Sequence, residues 1–285
     1  MTRRFLAGLI GSGVGPSLTP ALHMNEADAQ GMSYVYRTID LGTVSLDPDD
    51  VGDLVRYARA LGFDGLNITH PCKQVVIEHL DLLDDRAREL GAVNTVVFGE
   101  QGAIGYNTDW SGFTRAMTRG LPDVDLDRVV LLGAGGAGAS VGHALLALGV
   151  QELVVVDLSR DRADALVHML GELFGVDRCS ASDVDAIAVL NEKVDGYVHC
   201  TPTGMAEHPG TPFDVALLQR RQWVADIVYR PLETALVAAA RERGCPTLDG
   251  GGMAVYQAVD AFELITGTPA DDERMLRDFA RLTAS

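Results

Sequence analysis

Short apolar runs alternate with longer segments of helical periodicity from the start of the chain to about residue 119. A short apolar run bounded by glycine, proline or polar residues predicts a buried strand, and apolar residues three and four apart predict a helix. The predicted helices are residues 21–30, 49–61, 73–90 and 109–119. The predicted strands are residues 5–10, 34–40, 65–69, 92–98 and 103–106, of which the last two form a hairpin.

The same alternation continues after a linker at residues 120–123 that contains glycine and proline. Here the predicted strands are residues 129–132, 153–156, 176–180, 197–200, 223–228 and 246–248, and the predicted helices are residues 139–148, 162–174, 184–190 and 235–243. Two last helices, at residues 253–264 and 272–282, are expected to pack back on the first domain. The prediction is a two-domain α/β protein, with residues 1–108 and the C-terminal helices at 253–285 in one domain and residues 109–252 in the other.

Residues 129–157 contain a strand, a glycine turn, a helix, a second strand and an acid. The turn has glycines at Gly133, Gly135, Gly136 and Gly138, which match the motif G-x-G-x-x-G in the strand-to-helix context that the motif requires. The first glycine of the motif permits a tight turn, the second leaves room for a pyrophosphate, and the third lets the helix pack closely on the strand. The free N–H groups at the start of the helix attract phosphates. The second domain is therefore predicted to be a Rossmann-type dinucleotide-binding domain.

Asp157 ends the second strand of this unit and lies 19 residues after Gly138. That spacing is close to the roughly 20 residues expected for the acid that binds a ribose diol. A carboxylate repels a 2′-phosphate, so Asp157 favours NAD over NADP. Arg160 and Arg162 follow closely and leave NADP open, because arginine can accept that phosphate.

The composition is that of a globular protein, since 47% of the 285 residues are hydrophobic and 22% are charged. The formal net charge of −17 argues against binding to nucleic acid or to an anionic membrane. For the same reason, an anionic substrate needs local hydrogen-bond donors to bind.

The cysteines at positions 72, 179, 200 and 245 form no C-x-x-C motif, which argues against a zinc site or a redox pair. Reduced thiols in a cytoplasmic protein are expected. No apolar run approaches the roughly 18 residues of a membrane span, and the start of the chain is interpreted as a first strand rather than as a targeting signal.

Lysine is rare in this chain, because only Lys73 and Lys193 among the 23 basic residues are lysines. A lysine amine can take part in proton transfer when its surroundings favour the neutral form, whereas a guanidinium group stays charged. Lys193 lies in a polar segment and is interpreted as a surface charge. Lys73 follows the predicted strand 65–69 at the expected start of a helix, where the ammonium form is disfavoured. Lys73 is therefore a candidate catalytic residue.

Asp109 follows Asn107 and Thr108 at the start of another predicted helix. Thr108 or Asp109 is expected to cap this helix, which would also fix the position of the carboxylate. A lysine and an aspartate next to a nicotinamide can together accept a hydroxyl proton while a hydride leaves the carbon. Lys73 and Asp109 are the predicted catalytic pair.

Taken together, eight ordered blocks resemble the shikimate/quinate dehydrogenase family over nearly the whole chain. They are residues 8–23, 65–73, 91–95, 106–113, 133–138, 200–205, 226–234 and 252–257. Two departures from the biosynthetic shikimate dehydrogenases resemble the NAD-dependent quinate/shikimate branch. The opening loop has Ser17-Leu-Thr19 in place of Ser-x-Ser, and Asp157-Leu-Ser-Arg160 stands in place of Asn-Arg-Thr. A third departure, Cys72 in place of an aromatic residue, is interpreted as core packing.

The resemblance implies a role for each matching residue. Ser17 and Thr19 would bind the substrate carboxylate, and Thr69, Asn94 and Gln257 the ring hydroxyls, with Asn67 and Tyr229 nearby and with Lys73 and Asp109 at the reacting group. The cofactor would be bound by Gly135, Gly136, Ala137, Asp157, Arg162, Thr201, Pro202, Thr203, Gly204, Met205, Ile227 and Gly250. No metal is implied, and His23 and His70 are interpreted as structural.

The implied activity is the reversible, NAD-dependent oxidation of quinate or shikimate at the C3 hydroxyl to the 3-dehydro ketone. Two alternatives stay open, namely an NADP-dependent biosynthetic shikimate dehydrogenase and a catalytically silent NAD-sensing regulatory protein on the same fold. The expected partners are a small-molecule substrate and no nucleic acid or membrane, in a monomer or homodimer.

Overall fold

The computed structural model describes residues 3–284, and its first part alternates strands and helices. The strands up to residue 120 are β1 (Arg4–Gly11), β2 (Ser33–Asp40), β3 (Gly65–Ile68), β4 (Leu82–Leu83), β5 (Thr95–Gly99) and β6 (Gly102–Tyr106). The helices are α1 (Thr19–Ala29), α2 (Leu41–Val44), α3 (Val51–Ala60), α4 (Asp85–Leu90) and α5 (Asp109–Gly120), with 3₁₀ turns at Pro48–Asp50 and Val75–His79.

The remaining chain continues the alternation and ends in two helices. Its strands are β7 (Arg128–Leu132), β8 (Glu152–Val156), β9 (Cys179–Ser182), β10 (Gly196–His199), β11 (Trp223–Asp226) and β12 (Thr247–Leu248). Its helices are α6 (Gly136–Ala147), α7 (Arg160–Phe174), α8 (Ile187–Leu190), α9 (Ala235–Glu242), α10 (Gly251–Thr266) and α11 (Asp272–Thr283), with 3₁₀ turns at Val176–Arg178, Val184–Ala186, Asn191–Lys193 and Val215–Leu217.

The described chain forms two compact units, each built on one sheet. The first unit contains the residues up to Ser111 and those from Val255 onward, and the second contains Gly112–Ala254. This arrangement confirms the predicted two-domain α/β class. No helix within residues 3–284 is both long enough and apolar enough to cross a membrane.

The first sheet has the strand order β2-β1-β3-β5-β6-β4. Strands β1, β2 and β3 run parallel, and β5 runs antiparallel to β3 and β6. The carboxyl ends of β1, β3 and β6 and the amino end of β5 therefore meet at one edge. Residues that follow β1, β3 or β6, or that precede β5, are brought together at this edge.

The predicted helix at residues 73–90 is wrong. Sheet pairing interrupts it, because Leu82 and Leu83 pair with Ile104 and Gly105 of β6. The Asp84 side chain then accepts hydrogen bonds from two backbone N–H groups and starts the short helix α4. Hydrogen bonds to a neighbouring strand thus override an apolar pattern that also fits a helix. Lys73 therefore does not lie at the start of an α-helix.

The second sheet is entirely parallel, in the order β12-β11-β10-β7-β8-β9. The chain leaves β7 first towards β8 and later returns to place β10 on its other side. A parallel sheet with this reversal binds ligands beyond the carboxyl ends of its central strands. The predicted strand 176–180 begins three residues late, at Cys179, because residues 176–178 form a 3₁₀ turn after Gly175.

The two C-terminal helices complete the first unit. Phe262 and Ile265 of α10 pack in one core cluster with Ala7 and Leu9 of β1. On α11, the Arg274 guanidinium donates to both oxygens of Glu26, whose carboxylate is fully buried on α1. The first unit is therefore assembled from both ends of the chain.

Candidate active site

Lys73 and Asp109 form an ion pair in the first unit. Their Nζ and Oδ2 atoms are 2.6 Å apart, and the two side chains are 19% and 9% exposed. The other carboxylate oxygen, Oδ1, accepts a hydrogen bond of 2.9 Å from the Asn94 side-chain amide. The carboxylate is thus fixed between an amine and an amide, with the amine still partly accessible.

Asp109 is placed by the start of α5. The Asn107 side-chain oxygen accepts hydrogen bonds from the backbone N–H groups of Asp109 and Trp110, at 3.1 and 3.4 Å. The expectation that Thr108 or Asp109 caps this helix is therefore wrong. Asn107 takes that role, because its short side chain reaches the free N–H groups of the first turn. This leaves the Asp109 carboxylate available for Lys73.

Lys73 lies in a turn after β3, between two contacts that hold the backbone. The preceding residue, Cys72, is fully buried in the core cluster with Ile68 and Val76, and burial raises the pKa of its thiol. The Lys73 carbonyl accepts a hydrogen bond of 2.8 Å from the N–H of Val93. The side chain of Cys72 therefore packs in the core while that of Lys73 points to Asp109.

Asn94 is the centre of a buried hydrogen-bond network. Its side-chain nitrogen donates to Asp109 and to the Thr108 hydroxyl, at 2.9 and 3.0 Å. Its side-chain oxygen accepts from the Thr108 N–H at 2.7 Å and from the Thr95 hydroxyl at 3.1 Å. Both amide donors are occupied, so binding a ring hydroxyl through them requires Asn94 to exchange one of these partners.

The network continues through Asn67, which was expected near the substrate, to Tyr36 and Thr95, to which no role was assigned from the sequence. The Tyr36 hydroxyl donates to the Asn67 side-chain oxygen at 2.7 Å, and the Asn67 nitrogen donates to the Thr95 hydroxyl at 3.1 Å. Burial raises the pKa of Tyr36 well above its usual value, so this phenol stays a donor. The only sequence signal for Tyr36 was its alternation with Tyr34 along β2.

Of the other predicted substrate residues of the first unit, Ser17, Thr19 and Thr69 follow β1 or β3, and Gln257 lies on α10. Ser17 and Thr19 are adjacent, since the Ser17 hydroxyl accepts from the Thr19 N–H at 3.3 Å. Thr69 lies against the end of β1, because a Cβ at Gly11 would be 2.3 Å from its methyl group. The Gln257 carbonyl accepts a hydrogen bond of 3.0 Å from the Thr108 hydroxyl. Gln257 is thereby held beside the residue that precedes Asp109.

The glycine turn of the second unit has the geometry that a dinucleotide needs. Gly133 has a φ of +106°, and a Cβ at Gly138 would lie 2.0 Å from the Gly133 carbonyl oxygen. At Gly135 and Gly136, by contrast, a Cβ would meet no protein atom within 4 Å. Packing therefore requires the first and last glycines but not the middle ones, whose bare backbone suits a pyrophosphate. Gly136 and Ala137 begin α6, which no side chain caps.

Asp157 is held by three donors at the end of β8. The Ala134 N–H donates to one oxygen, and the Ser159 N–H and the Arg162 guanidinium donate to the other, at 2.8, 2.8 and 2.7 Å. Burial acts to raise the pKa of this carboxyl, but these hydrogen bonds and the Arg162 charge outweigh it and lower the pKa. Asp157 is thus a fixed anion beside the glycine turn, paired with the arginine that the sequence also assigned to the cofactor.

The remaining predicted cofactor residues lie after β10, β11 and β12. The loop of Thr201, Pro202, Thr203, Gly204 and Met205 follows β10 directly, and Ile227 follows β11. Gly250 follows β12, and a Cβ there would be 2.4 Å from the Ile227 carbonyl oxygen. The structure therefore places all of them at the carboxyl edge of the second sheet.

Among residues 3–284, His23 and His70 belong to no group of metal-binding side chains. His23 is fully buried among Tyr34, Tyr36 and Phe262, and burial lowers its pKa to about 3. His70 is exposed, and its carbonyl accepts a hydrogen bond from Ser12. Within residues 3–284, no three histidine, cysteine, aspartate or glutamate side chains are grouped as metal ligands. The four cysteines there form no disulfide.

Comparison with known proteins identifies relatives that span the chain. The profile of the shikimate dehydrogenase substrate binding domain matches residues 9–96. A shikimate dehydrogenase (NADP(+)) of Streptomyces avermitilis is 58% identical over 281 residues, which cover 99% of this chain and 97% of that protein. A quinate/shikimate dehydrogenase (NAD(+)) of Corynebacterium glutamicum is 48% identical over 283 residues, which cover 99% of this chain and 100% of that protein.

A solved structure agrees with these sequence matches. The quinate dehydrogenase from Corynebacterium glutamicum in complex with NAD is similar with a TM-score of 0.93 and 47% sequence identity, over 98% of this chain and 100% of that one. The relatives therefore share the whole architecture, and their names include both cofactors.

Proposed function

The chain belongs to the shikimate dehydrogenase family, and we propose that within this family it oxidises quinate and shikimate at the C3 hydroxyl, reversibly and with NAD. It is an oxidoreductase that acts on a CH–OH group with a nicotinamide dinucleotide, as its sequence blocks predicted. The observation that carries the proposed chemistry is the 2.6 Å contact between Lys73 Nζ and Asp109 Oδ2.

Oxidation of a secondary alcohol removes a hydride from carbon and a proton from the hydroxyl oxygen. The bound dinucleotide supplies the hydride acceptor. The Lys73/Asp109 pair accepts the hydroxyl proton, and Asn94 keeps the carboxylate oriented through its hydrogen bond to Oδ1. The low exposure of both side chains strengthens their interaction with a bound hydroxyl.

The same strand edge offers groups for the rest of the substrate. Ser17 and Thr19 provide hydroxyl donors for the carboxylate, which the net charge of −17 would otherwise repel. Thr69, Asn94 and Gln257 provide hydrogen-bonding groups for the ring hydroxyls. Quinate carries an additional hydroxyl at the carboxylate-bearing carbon. Thr19, which stands where the biosynthetic enzymes have serine, is compatible with binding that hydroxyl. These contacts allow both substrates.

The preference for NAD depends on Asp157. Its carboxylate is ionised and held by two backbone N–H groups, so it cannot turn away from a 2′-phosphate without losing them. A fixed anion accepts hydrogen bonds from a ribose diol and repels a phosphate at the same place. Arg162 is already paired with this carboxylate, which reduces the positive charge that it offers to a phosphate.

The alternative is an NADP-dependent biosynthetic shikimate dehydrogenase. It is supported by the 58% identity to a relative named for NADP and by the presence of Arg160 and Arg162 near Asp157. Steady-state rates with quinate and shikimate, each with NAD and NADP, separate the two. We expect NAD to have the higher kcat/KM with both substrates; a higher kcat/KM with NADP and no oxidation of quinate would establish the alternative.

Asp157→Asn tests the proposed cofactor preference. Loss of the negative charge is expected to shift the ratio of kcat/KM for NADP over NAD upward by about tenfold, because the repulsion of a 2′-phosphate is removed. The matched control is Asp161→Asn, which removes the same charge from an exposed position in the first turn of α7. An unchanged ratio in Asp157→Asn, or an equal shift in both variants, would contradict the role given to Asp157.

A further inference from the structure

His199 and Asp226 form a fully buried pair at the carboxyl ends of two neighbouring strands. The two residues are direct partners in the parallel register of β10 and β11. His199 Nδ1 is 3.0 Å from Asp226 Oδ1, and both side chains are 0% exposed. The pair lies outside the residues assigned to the substrate or the cofactor, although β10 leads directly into the loop at residues 201–205.

With a neutral imidazole and an ionised Asp226, the direction of each hydrogen bond follows from the groups around the ring. An ionised carboxylate only accepts, so His199 Nδ1 carries the proton and donates to Asp226. In a neutral ring the other nitrogen, Nε2, is then an acceptor, and the Thr201 hydroxyl donates to it over 2.5 Å. The Thr201 oxygen in turn accepts from the Thr203 N–H at 3.3 Å. His199 thus orients the first residue of the loop and, through it, the third.

Asp226 is also linked to the loop through Thr234. Its other oxygen accepts a 2.7 Å hydrogen bond from the Thr234 hydroxyl, which caps α9 by accepting from the Val237 N–H. Gly204 has a φ of +96°, and a Cβ there would lie 3.3 Å from the Thr234 side chain. The loop is therefore held at Thr201 through His199 and packed at Gly204 against Thr234. The Val228 N–H also donates to Asp226, which fixes the backbone on either side of Ile227.

We propose that His199 and Asp226 are positioning residues that hold the loop at residues 201–205 in its cofactor-binding conformation. This inference rests on the proposed function, in which that loop and Ile227 line the bound dinucleotide. A buried carboxylate is costly unless its partners are fully arranged, so the network has one well-defined geometry rather than several. That geometry extends to the Thr201 hydroxyl and to the backbone around Ile227, two of the places assigned to the cofactor.

The test compares His199→Phe, Thr201→Val and the double variant by NADH fluorescence titration and by steady-state rates. Each single variant is expected to raise the dissociation constant for NADH roughly tenfold and to lower kcat, with the KM for quinate unchanged. In the double variant the dissociation constant should be no higher than in the weaker-binding single variant, because both changes break the same chain of hydrogen bonds. Thr201→Ser, which keeps the hydroxyl, should recover most of the NADH affinity that Thr201→Val loses.

The matched control is Tyr197→Phe, on the same strand as His199. It removes one buried hydrogen bond of 2.8 Å, to Asn191, without touching the network. This variant is expected to lower Tm while leaving the dissociation constant for NADH unchanged. Wild-type NADH binding in His199→Phe and Thr201→Val, additive effects in the double variant, or equally weakened binding in Tyr197→Phe would each overturn the proposal. If His199→Phe does not fold, His199→Leu replaces it in the same comparison, and NADH binding equal to that of the wild type would again overturn the proposal.

Substrate oxidation by the wild type tests the proposed function, whereas NADH binding by the variants tests the role of His199. A wild-type protein that binds NADH but oxidises neither quinate nor shikimate would refute the proposed substrates. The NADH dissociation constants of the variants would still show whether His199 positions the loop, because that measurement needs no substrate.

Discussion

At the scale of single residues, the position of Asp109 depends on contacts from separate parts of the chain. Lys73 follows β3, Asn94 precedes β5, and Asn107 follows β6. Lys73 and Asp109 could be found in the sequence because lysine is rare and because their blocks resemble a known family. Tyr36 and Thr95 could not, because their hydrogen bonds join strands that are distant in sequence and no local pattern requires them.

Lys73→Ala is expected to lower kcat by about 100- to 10,000-fold, the range for loss of a general acid or base. The dissociation constant for NADH should not change, because the glycine turn and Asp157 belong to the other unit. Stopped-flow or steady-state rates of NADH formation, together with NADH fluorescence titration, measure the two effects.

The control for this prediction is Lys193→Ala, which removes the only other lysine of the chain from an exposed position. Its kcat should equal that of the wild type. Turnover in Lys73→Ala close to that of Lys193→Ala would rule out the proton-transfer role of the ion pair.

At the scale of elements, the turn between β7 and α6 separates two kinds of glycine. Gly138 is required by packing, since a Cβ there would collide with the Gly133 carbonyl. Gly135 is an extended residue with open space around its Cβ position, so the protein itself tolerates a methyl group. The sequence motif does not distinguish a glycine required by packing from one that leaves room for the pyrophosphate, whereas the three-dimensional structure does.

Gly138→Ala and Gly135→Ala are therefore expected to fail in different ways. The first should lower the free energy of unfolding by about 3 kcal/mol, because backbone atoms must move to admit the methyl group. The second should change it by less than about 0.5 kcal/mol but weaken NADH binding at least tenfold, by obstructing the pyrophosphate. Urea unfolding and NADH titration of both variants measure these effects. A destabilised Gly135→Ala, or a fully stable Gly138→Ala, would contradict this division.

Most elements were predictable, because buried parallel strands and amphipathic helices have distinct periods. The error at residues 73–90 shows the limit of such patterns. Val76, Leu80 and Leu83 have helical spacing, but Asp81 exchanges hydrogen bonds with Ala103, and Leu83 pairs with Gly105. These partners come from β6, about 20 residues later, so no window around residue 80 contains the information. Asp84, a residue type that favours the N-cap position, is the one local signal that a new helix begins there.

At the scale of the whole molecule, the buried His23 makes stability depend on pH. Burial lowers its pKa from 6.5 to about 3, so the folded protein keeps this ring neutral while the unfolded chain protonates it below about pH 6.5. The unfolded state then binds more protons, and the free energy of unfolding falls as the pH decreases from about 6.5 towards about 3. Among the described residues its Nε2 atom has no hydrogen-bond partner, so no acceptor there would stabilise the protonated ring.

Between pH 7.5 and pH 5, protonation of His23 in the unfolded chain is expected to lower the free energy of unfolding of the wild type by about 2 kcal/mol. His23→Phe should not show this part of the loss, because the ring that the unfolded chain protonates is gone. Urea unfolding of the wild type and the variant at both pH values measures the difference. Tyr34→Phe, which removes the hydroxyl next to His23 but keeps the histidine, serves as the control and should retain the pH dependence of the wild type. An identical acid response in His23→Phe and the wild type would show that other groups cause it.

The contribution of both chain ends to one unit has a consequence for protein synthesis. The segment Gly112–Ala254 is continuous and has all of its strands once residue 254 has left the ribosome. The sheet that starts at Arg4 lacks Phe262, Ile265 and the arginine partner of Glu26 until residues 262–274 have also been synthesised. The middle of the chain is therefore expected to reach its native state before the beginning, the reverse of the usual order in which N-terminal domains fold first. A chain that ends at residue 254 would therefore carry a folded second unit behind an unfinished first unit.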